Sequence, residues 1–174
     1  MYKGQQDDRI VKFHCPRYVE LPSLPLYKDQ VIEYIDKTLK TLFINSEDKV
    51  LTPTMLNNYV KQKVIPAPIH KKYNTEHIAY LIVVCIFKQL YSLSEISSFI
   101  DIQTKTYPVK DAYDYFCNEL EKEIKEVFLT RNFSSASTAT KVTKESELLR
   151  SIIISFVNKI YTVNLLMNEE SQNK

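Results

Sequence analysis

The basic residues of this chain are unevenly distributed, and one stretch could bind a polyanion. Residues 49–75 contain no Asp or Glu, and we call them the basic segment. Its basic side chains are Lys49, Lys61, Lys63, His70, Lys71 and Lys72. The chain of 174 residues has a formal net charge of +2, so the five lysines of the basic segment leave the other residues at −3. A local excess of positive charge is typical of a surface that binds a polyanion.

The first half of the basic segment predicts a helix over residues 52–63. Thr52 is a favourable N-cap residue, and Pro53 suits the first helical position, where no N–H is needed. Apolar residues share one side of this helix. The opposite side carries polar residues at helical spacing, namely Thr54, Asn57, Asn58 and Lys61. Because an Asn amide can address N6 and N7 of adenine in a major groove, we expect these four residues to read base edges. A merely solvated face is the alternative.

The second half of the basic segment is expected to contact phosphates. Residues 64–68 must leave helical geometry, because the residue before each proline is restricted to extended conformations. A cluster of cations beside an aromatic hydroxyl then follows, which suits phosphate contacts that fix register without reading sequence. The expected phosphate contacts are Thr52, Lys63, His70, Lys71, Lys72 and Tyr73. An ordinary basic loop is the alternative for residues 70–73.

The elements that must position these residues are predicted to be helices. The only glycine is Gly4, which argues against tight hairpins and Gly-rich phosphate loops. Apolar residues recur every three or four positions over residues 26–43, which predicts an amphipathic helix followed by a polar loop at 45–49. Residues 75–91 are apolar on nearly every side and predict a buried helix, with a short helix after it over 93–100. The predicted fold class is therefore all-α.

Two longer helices are predicted in the C-terminal part, with a flexible Ser/Thr/Ala-rich connection at 131–143 between them. The first, over 109–129, has an apolar stripe and a face of mixed charge. The second, over 144–167, has an apolar stripe too wide for a simple two-stranded seam. Part of that stripe is expected to form a homodimer interface through Leu149, Ile153, Phe156, Ile160 and Val163.

The sequence also argues against several classes of function. The three cysteines are Cys15, Cys85 and Cys117, and their odd number and wide spacing indicate neither a disulfide framework nor a zinc site. No HExxH, GxSxG or Walker A motif is present, so we expect no enzyme, no catalytic residue, no metal and no cofactor. The longest apolar run, residues 78–87, is about half of the roughly 20 residues that a membrane span needs, so a cytoplasmic protein without a membrane role is expected.

The order of parts in the basic segment and after it resembles the winged helix-turn-helix of MerR-type transcription regulators. The matching runs are Val64–Pro68 for the exit from the reading helix, Lys71–Tyr73 for the wing, Asn74–Ile78 for the next helix start and Tyr91–Ile96 for the last helix. The match covers about 50 residues. Two departures are a shorter wing and Asn57 in place of the usual arginine of the reading helix.

A second resemblance is to a bacterial family known as domain of unknown function family 1836. Its residues are Pro16-Arg17, Glu20–Pro22, Leu26–Val31, Asn57–Lys61 and Lys71–Tyr73. This resemblance spans about Pro16 to Tyr115 and implies a MerR-like DNA-binding fold.

These observations together predict four regions and a function. The regions are an extended N-terminal arm at 1–25, a helix-turn-helix domain at 26–103, a helical C-terminal region with the dimerisation surface at 104–168, and a polar tail at 169–174. The expected function is that of a transcription regulator, which binds double-stranded DNA as a homodimer through residues 52–63 and 70–73. The alternative is a helical adaptor whose basic face binds an acidic protein. The sequence identifies no effector ligand.

Overall fold

A computed structural model describes residues 8–43 and 49–172, with side chains described as far as residue 168. Within those residues the secondary structure is helical apart from two short strands, which confirms the all-α class. The helices are α1 Asp8–Val11, α2 Lys28–Leu39, α3 Pro53–Lys61, α4 Thr75–Phe87, α5 Leu93–Thr106, α6 Val109–Lys125 and α7 Lys144–Gln172, and the strands are β1 Leu26–Tyr27 and β2 Lys72–Tyr73. Residues 44–48, which hold most of the expected polar loop at 45–49, lie outside the described residues.

Helix α4 lies at the centre of the core, as its uninterrupted apolar sequence predicts. Ile78, Leu81, Ile82 and Phe87 have no measurable exposure, and burying each such side chain contributes roughly 1.5–3 kcal/mol. The N-cap is Asn74, one residue earlier than expected, because its side-chain oxygen accepts a hydrogen bond from the backbone N–H of residue 77. Helices α2, α6 and α7 pack around α4.

A small antiparallel sheet joins the chain before α2 to the chain before α4. Strand β1 pairs with β2 so that Leu26 faces Tyr73 and Tyr27 faces Lys72. Residues 69 and 72 exchange two backbone hydrogen bonds of 2.9 Å, which close a tight turn at His70-Lys71. The argument from the single glycine against tight hairpins is wrong here, because His70 and Lys71 themselves adopt positive φ angles of 49° and 64°. Residues 26 and 27, expected in the first helical turn, are extended instead.

Several other boundaries differ from the predicted ones. Helix α5 continues to Thr106, well past the expected end at residue 100. Helix α6 ends in a π-helical turn over Glu126–Thr130, which Arg131 terminates with a φ of 56°. Helix α7 reaches Gln172, so the first part of the expected polar tail is helical. Residues 131–143 have no regular structure, but the backbone N–H of Thr138 donates a 2.8 Å hydrogen bond to Glu119 of α6, which anchors this connection.

The N-terminal arm is part of the core and not a separate extension. It contains α1 and a 3-10 turn at Tyr18–Glu20, and four of its apolar residues are buried: Ile10, Phe13, Cys15 and Leu21. Arg17 donates two hydrogen bonds of 2.8 and 3.1 Å to the Glu121 carboxylate on α6. The prediction of a free arm missed this because the prolines and the lack of periodicity reveal local conformation only.

Candidate nucleic-acid interface

Helix α3 has one buried and one exposed face, divided as its sequence predicts. The Thr52 hydroxyl oxygen accepts a 3.2 Å hydrogen bond from the N–H of residue 55 and so caps the helix. Leu56 and Tyr59 are buried beneath it. The four residues expected to read bases, Thr54, Asn57, Asn58 and Lys61, are all exposed on the opposite side. Their role in reading bases stays a prediction, but each is accessible to a ligand.

The C-terminal end of α3 places Lys63 outside the helix. The N–H of residue 63 donates to the carbonyl of Val60 at 3.0 Å, and the N–H of Val64 donates to the carbonyl of Tyr59 at 2.9 Å. This pair of hydrogen bonds is the Schellman motif, which needs a left-handed residue after the last helical residues. Lys63 is that residue, with a φ of 57°. Val64 and Ile65 are buried immediately afterwards, which fixes the direction in which Lys63 leaves the surface.

The hairpin that follows presents some of the expected phosphate contacts and hides another. His70 and Lys71 are exposed at its turn. The Lys72 ammonium lies 4.8 Å from the centroid of the Tyr27 ring, a cation–π distance. Tyr73 is only 3% exposed and packs edge-on against His77, with ring centroids 5.5 Å apart. The expectation that Tyr73 contacts phosphate is therefore wrong, because its neighbours in the core already surround it.

An open groove of about 690 Å³ separates α3 from the hairpin and the start of α2. Asn57 and Lys61 line one side of this groove, and Lys71 lines another. Lys28 also faces it, and the Lys28 ammonium donates a 3.0 Å hydrogen bond to the side-chain oxygen of Asn57. The sequence analysis missed Lys28, because only the pairing of distant strands brings the start of α2 beside α3. Asp29, the next residue, also lines the groove and opposes its positive charge.

The electrostatics of the groove favour an anionic ligand. Among the described residues, Lys61, Lys63 and Lys71 have no carboxylate within 4.0 Å. The ion pairs described near the N-terminus belong instead to the arm and α6, where Glu121 lies 3.0 Å from His14 and 2.8 Å from Arg17. Lysine ammonium groups without a protein partner can neutralise phosphates and release the counterions condensed on them.

The residues expected to form a dimer interface lie mostly inside the protomer. Leu149, Ile153, Phe156 and Ile160 are between 1% and 5% exposed, in the core that α7 forms with α6. Their assignment to a dimer interface is wrong, because their surfaces are already covered within the chain. Val163 is partly exposed.

Other kinds of site have less support in the described residues. No group of three or more His, Cys, Asp or Glu residues there could hold a metal ion. Helix α7 is long and apolar enough, by length and composition alone, to cross a membrane. Core helices of water-soluble proteins pass the same test, and 39% of the apolar window in α7 is buried.

Comparison with known proteins gives one match. No curated protein and no solved structure matches the chain. The sequence model of a family described as a domain of unknown function (DUF1836) matches residues 16–116, which is more than half of the chain. The matched region begins in the arm, includes the groove and the hairpin, and ends within α6. The chain therefore belongs to the DUF1836 family.

Proposed function

We propose that the protein binds double-stranded DNA through α3 and the hairpin and acts as a transcription regulator. The observation that carries the proposal is the groove between them, where the amide of Asn57 lies beside the ammonium groups of Lys28, Lys61 and Lys71. Amide and ammonium groups together can contact base edges and the flanking phosphates. Helix α3 has nine residues and is therefore about 13.5 Å long at 1.5 Å per residue, short enough to enter a major groove end-on or at an angle.

The backbone of the basic segment gives a second, independent support. Lys63, His70 and Lys71 all have positive φ angles, a conformation that favours Gly or Asn. A residue with a β-carbon in such a region costs on the order of 1 kcal/mol. Asn occurs throughout this chain and could have replaced them at lower cost. Basic side chains at three such positions are better explained by a ligand that needs their charge.

The order of the elements supports a MerR-like arrangement as the finer form of this proposal. Helix α3 would be the reading helix, and the hairpin at residues 69–73 would be a short wing. Pairing of β1 with β2 ties that wing to the start of α2, so a phosphate contact at the wing would also fix the orientation of α3. In such an arrangement a homodimer would place two copies of α3 on a two-fold DNA site. The surface available for pairing is the end of α7, where Leu166 is 58% exposed.

A second candidate function is supported by apolar residues near the same groove. Tyr27 and Ile69 are 55% and 58% exposed, and both lie next to its lysines. An acidic peptide carrying an apolar side chain would fit such a surface, in which case the protein would be an adaptor. The two functions differ in the ligand and in the number of ions released on binding.

The experiment measures fluorescence anisotropy of labelled duplex DNA over a range of salt concentrations. Four or five cations per protomer predict a log–log salt slope of roughly −4 to −9 for a dimer. Lys61→Gln should weaken binding and reduce the slope by about 0.9, whereas Asp29→Asn should strengthen binding by removing a like charge. Lys110→Gln, at an exposed position of α6, is the control and should change neither. No binding to duplex DNA at low salt, with binding to an acidic peptide, would replace the DNA proposal by the adaptor.

A further inference from the structure

Two of the three cysteines lie in contact although 102 residues separate them in the sequence. The sulfur of Cys15 in the arm is 3.1 Å from the sulfur of Cys117 on α6, and both residues are fully buried. Both are free thiols. Cys85, the third, is buried separately in α4.

The contact is held in place by neighbours on the same face of α6. Tyr113, Cys117 and Glu121 follow one another at intervals of one helical turn. The hydroxyl of Tyr113 donates a 2.8 Å hydrogen bond to the carbonyl of Pro16, and the N–H of Cys15 donates a 2.8 Å hydrogen bond to Glu121. The arm is therefore fixed to α6 on both sides of the thiol pair, so the approach of the two sulfurs is determined by several interactions.

We propose that Cys15 and Cys117 are a modification site at which hydrogen peroxide forms a reversible intramolecular disulfide. The thiolate of one cysteine attacks a peroxide oxygen, which breaks the O–O bond and gives a sulfenic acid and, after protonation, one water. The second sulfur attacks the sulfenic sulfur, so that the S–S bond forms, the S–O bond breaks, and a second water leaves. Two thiols are oxidised and one peroxide is reduced to two waters.

Access to the thiols requires the arm to open. The hydrogen bond to Cys117, together with burial, raises the pKa of Cys15, so the closed state contains little thiolate. The arm can detach locally without unfolding the core, because polar contacts to α6 provide much of its attachment. When it closes again, the two sulfurs need to approach by only about 1 Å to reach the bond length of about 2.05 Å. The oxidation is therefore slow but selective for this pair over Cys85.

The disulfide would join the arm to α6 and close a loop of about a hundred residues. Closing a long loop lowers the entropy of the unfolded chain more than closing a short one. The oxidised protein should therefore unfold at a midpoint temperature roughly 5–15 °C higher than the reduced protein. A reducing agent should reverse this increase.

The test treats the reduced, purified full chain with hydrogen peroxide under native conditions, then denatures it and alkylates the remaining thiols with iodoacetamide. The expected result is one alkylated cysteine where the reduced protein has three, identified by peptide mapping as Cys85. Dithiothreitol before alkylation should restore all three. Cys85→Ser should still form the bond, whereas Cys15→Ala and Cys117→Ala should not. The wild-type result decides the matter even where a variant fails to fold.

Three outcomes would overturn the proposal: full alkylation after peroxide treatment, a bond that includes Cys85, or a bond between two chains. A disulfide in the wild type that leaves the unfolding temperature unchanged would overturn its effect on stability. None of these measurements involves DNA, so they stand or fall independently of the proposed function.

Discussion

The ammonium group of Lys28 donates a hydrogen bond of 3.0 Å to the side-chain oxygen of Asn57, and so connects the start of α2 to the exposed face of α3. This bond orients the Asn57 amide, because its oxygen is occupied and its NH₂ group points away from Lys28. In a DNA complex the same ammonium could contact a phosphate. Lys28 would then position the reading residue and bind the backbone at once.

A double-mutant cycle should detect this connection. Lys28→Ala and Asn57→Ala should each weaken binding to a preferred DNA sequence, and their effects should be coupled by on the order of 0.5–1 kcal/mol. Asn58 hydrogen-bonds Gln62 instead, so the cycle of Lys28→Ala with Asn58→Ala is the matched control and should be additive. Binding titrations by anisotropy measure all the variants. Additivity in the first cycle would show that Lys28 does not position Asn57.

Residues that read bases and residues that contact phosphates should fail differently. Asn58→Ala should cost about 1–3 kcal/mol on the preferred sequence and little on random DNA, because a base contact supplies discrimination. Lys71→Ala should weaken binding to both by similar amounts and reduce the salt slope by about one unit. Both side chains are exposed, so folding stability should change by less than about 0.5 kcal/mol. If Lys71→Ala alone abolished discrimination, the hairpin and not α3 would enter the major groove.

Lys63 offers a test of whether charge has been kept at the expense of stability. Lys63→Gly should stabilise the fold by roughly 0.5–1 kcal/mol, since glycine adopts the left-handed conformation of the Schellman motif without strain. The same change should weaken DNA binding and lower its salt dependence. Lys61→Gly, two residues earlier and inside the helix, should instead destabilise the fold by about 1 kcal/mol. Urea unfolding of both variants measures the contrast, and equal effects would mean that Lys63 is not strained.

The ion pair between Arg17 and Glu121 should make stability depend on acid pH. Burial alone would raise the pKa of Glu121, but hydrogen bonds from Arg17 and from the N–H of Cys15 outweigh it and lower that pKa. A carboxylate with a lowered pKa stabilises the fold above its unfolded value of about 4.3 and loses that contribution as the pH falls through its folded value.

Urea unfolding between neutral and acid pH measures this contribution. Glu121→Gln should reduce stability at pH 7 by roughly 1–3 kcal/mol and make the decline toward acid shallower. Asp111→Asn, an exposed acid on the same helix, should leave the decline unchanged. A wild-type slope in the Glu121→Gln variant would show that the pair does not affect stability.

Buried and exposed residues of α7 should separate folding from association. Phe156→Ala should destabilise the protomer by about 3–5 kcal/mol, because it removes a large side chain from the core. Leu166→Asp should leave folding nearly unchanged and convert the expected dimer to a monomer. Light scattering gives the mass of each variant. A wild-type monomer at tens of micromolar would contradict self-association and the expectation of a two-fold DNA site.

The sequence predicted the parts of the fold that depend on local rules. The start of α3 at Thr52-Pro53 and the start of α5 at Ser92 follow from capping chemistry, and both caps are formed. The division of α3 into two faces followed from helical spacing. These features need only neighbouring residues, so a single sequence contains the information for them.

The features that were missed depend on contacts between distant residues. Strand β1 has two residues and no pattern of its own, and it exists because β2 pairs with it. Tyr73 looked like part of a basic loop until the hairpin turned its ring toward His77. The stripe on α7 could have met either a partner or its own core, since apolar spacing is the same for both. The contact between Cys15 and Cys117 has no local signal at all.

The attachment of the arm to α6 has a consequence for synthesis on the ribosome. The N–H of Cys15 bonds to a carboxylate 106 residues further along the chain, so the arm emerges long before its binding surface. At about 5–20 residues per second, that interval lasts roughly 5–20 s. During this time Phe13, Cys15 and Leu21 have nothing to pack against, and the nascent chain exposes an apolar segment at its leading end. The arm should therefore dock late, and a chaperone that recognises short apolar segments would find its target there.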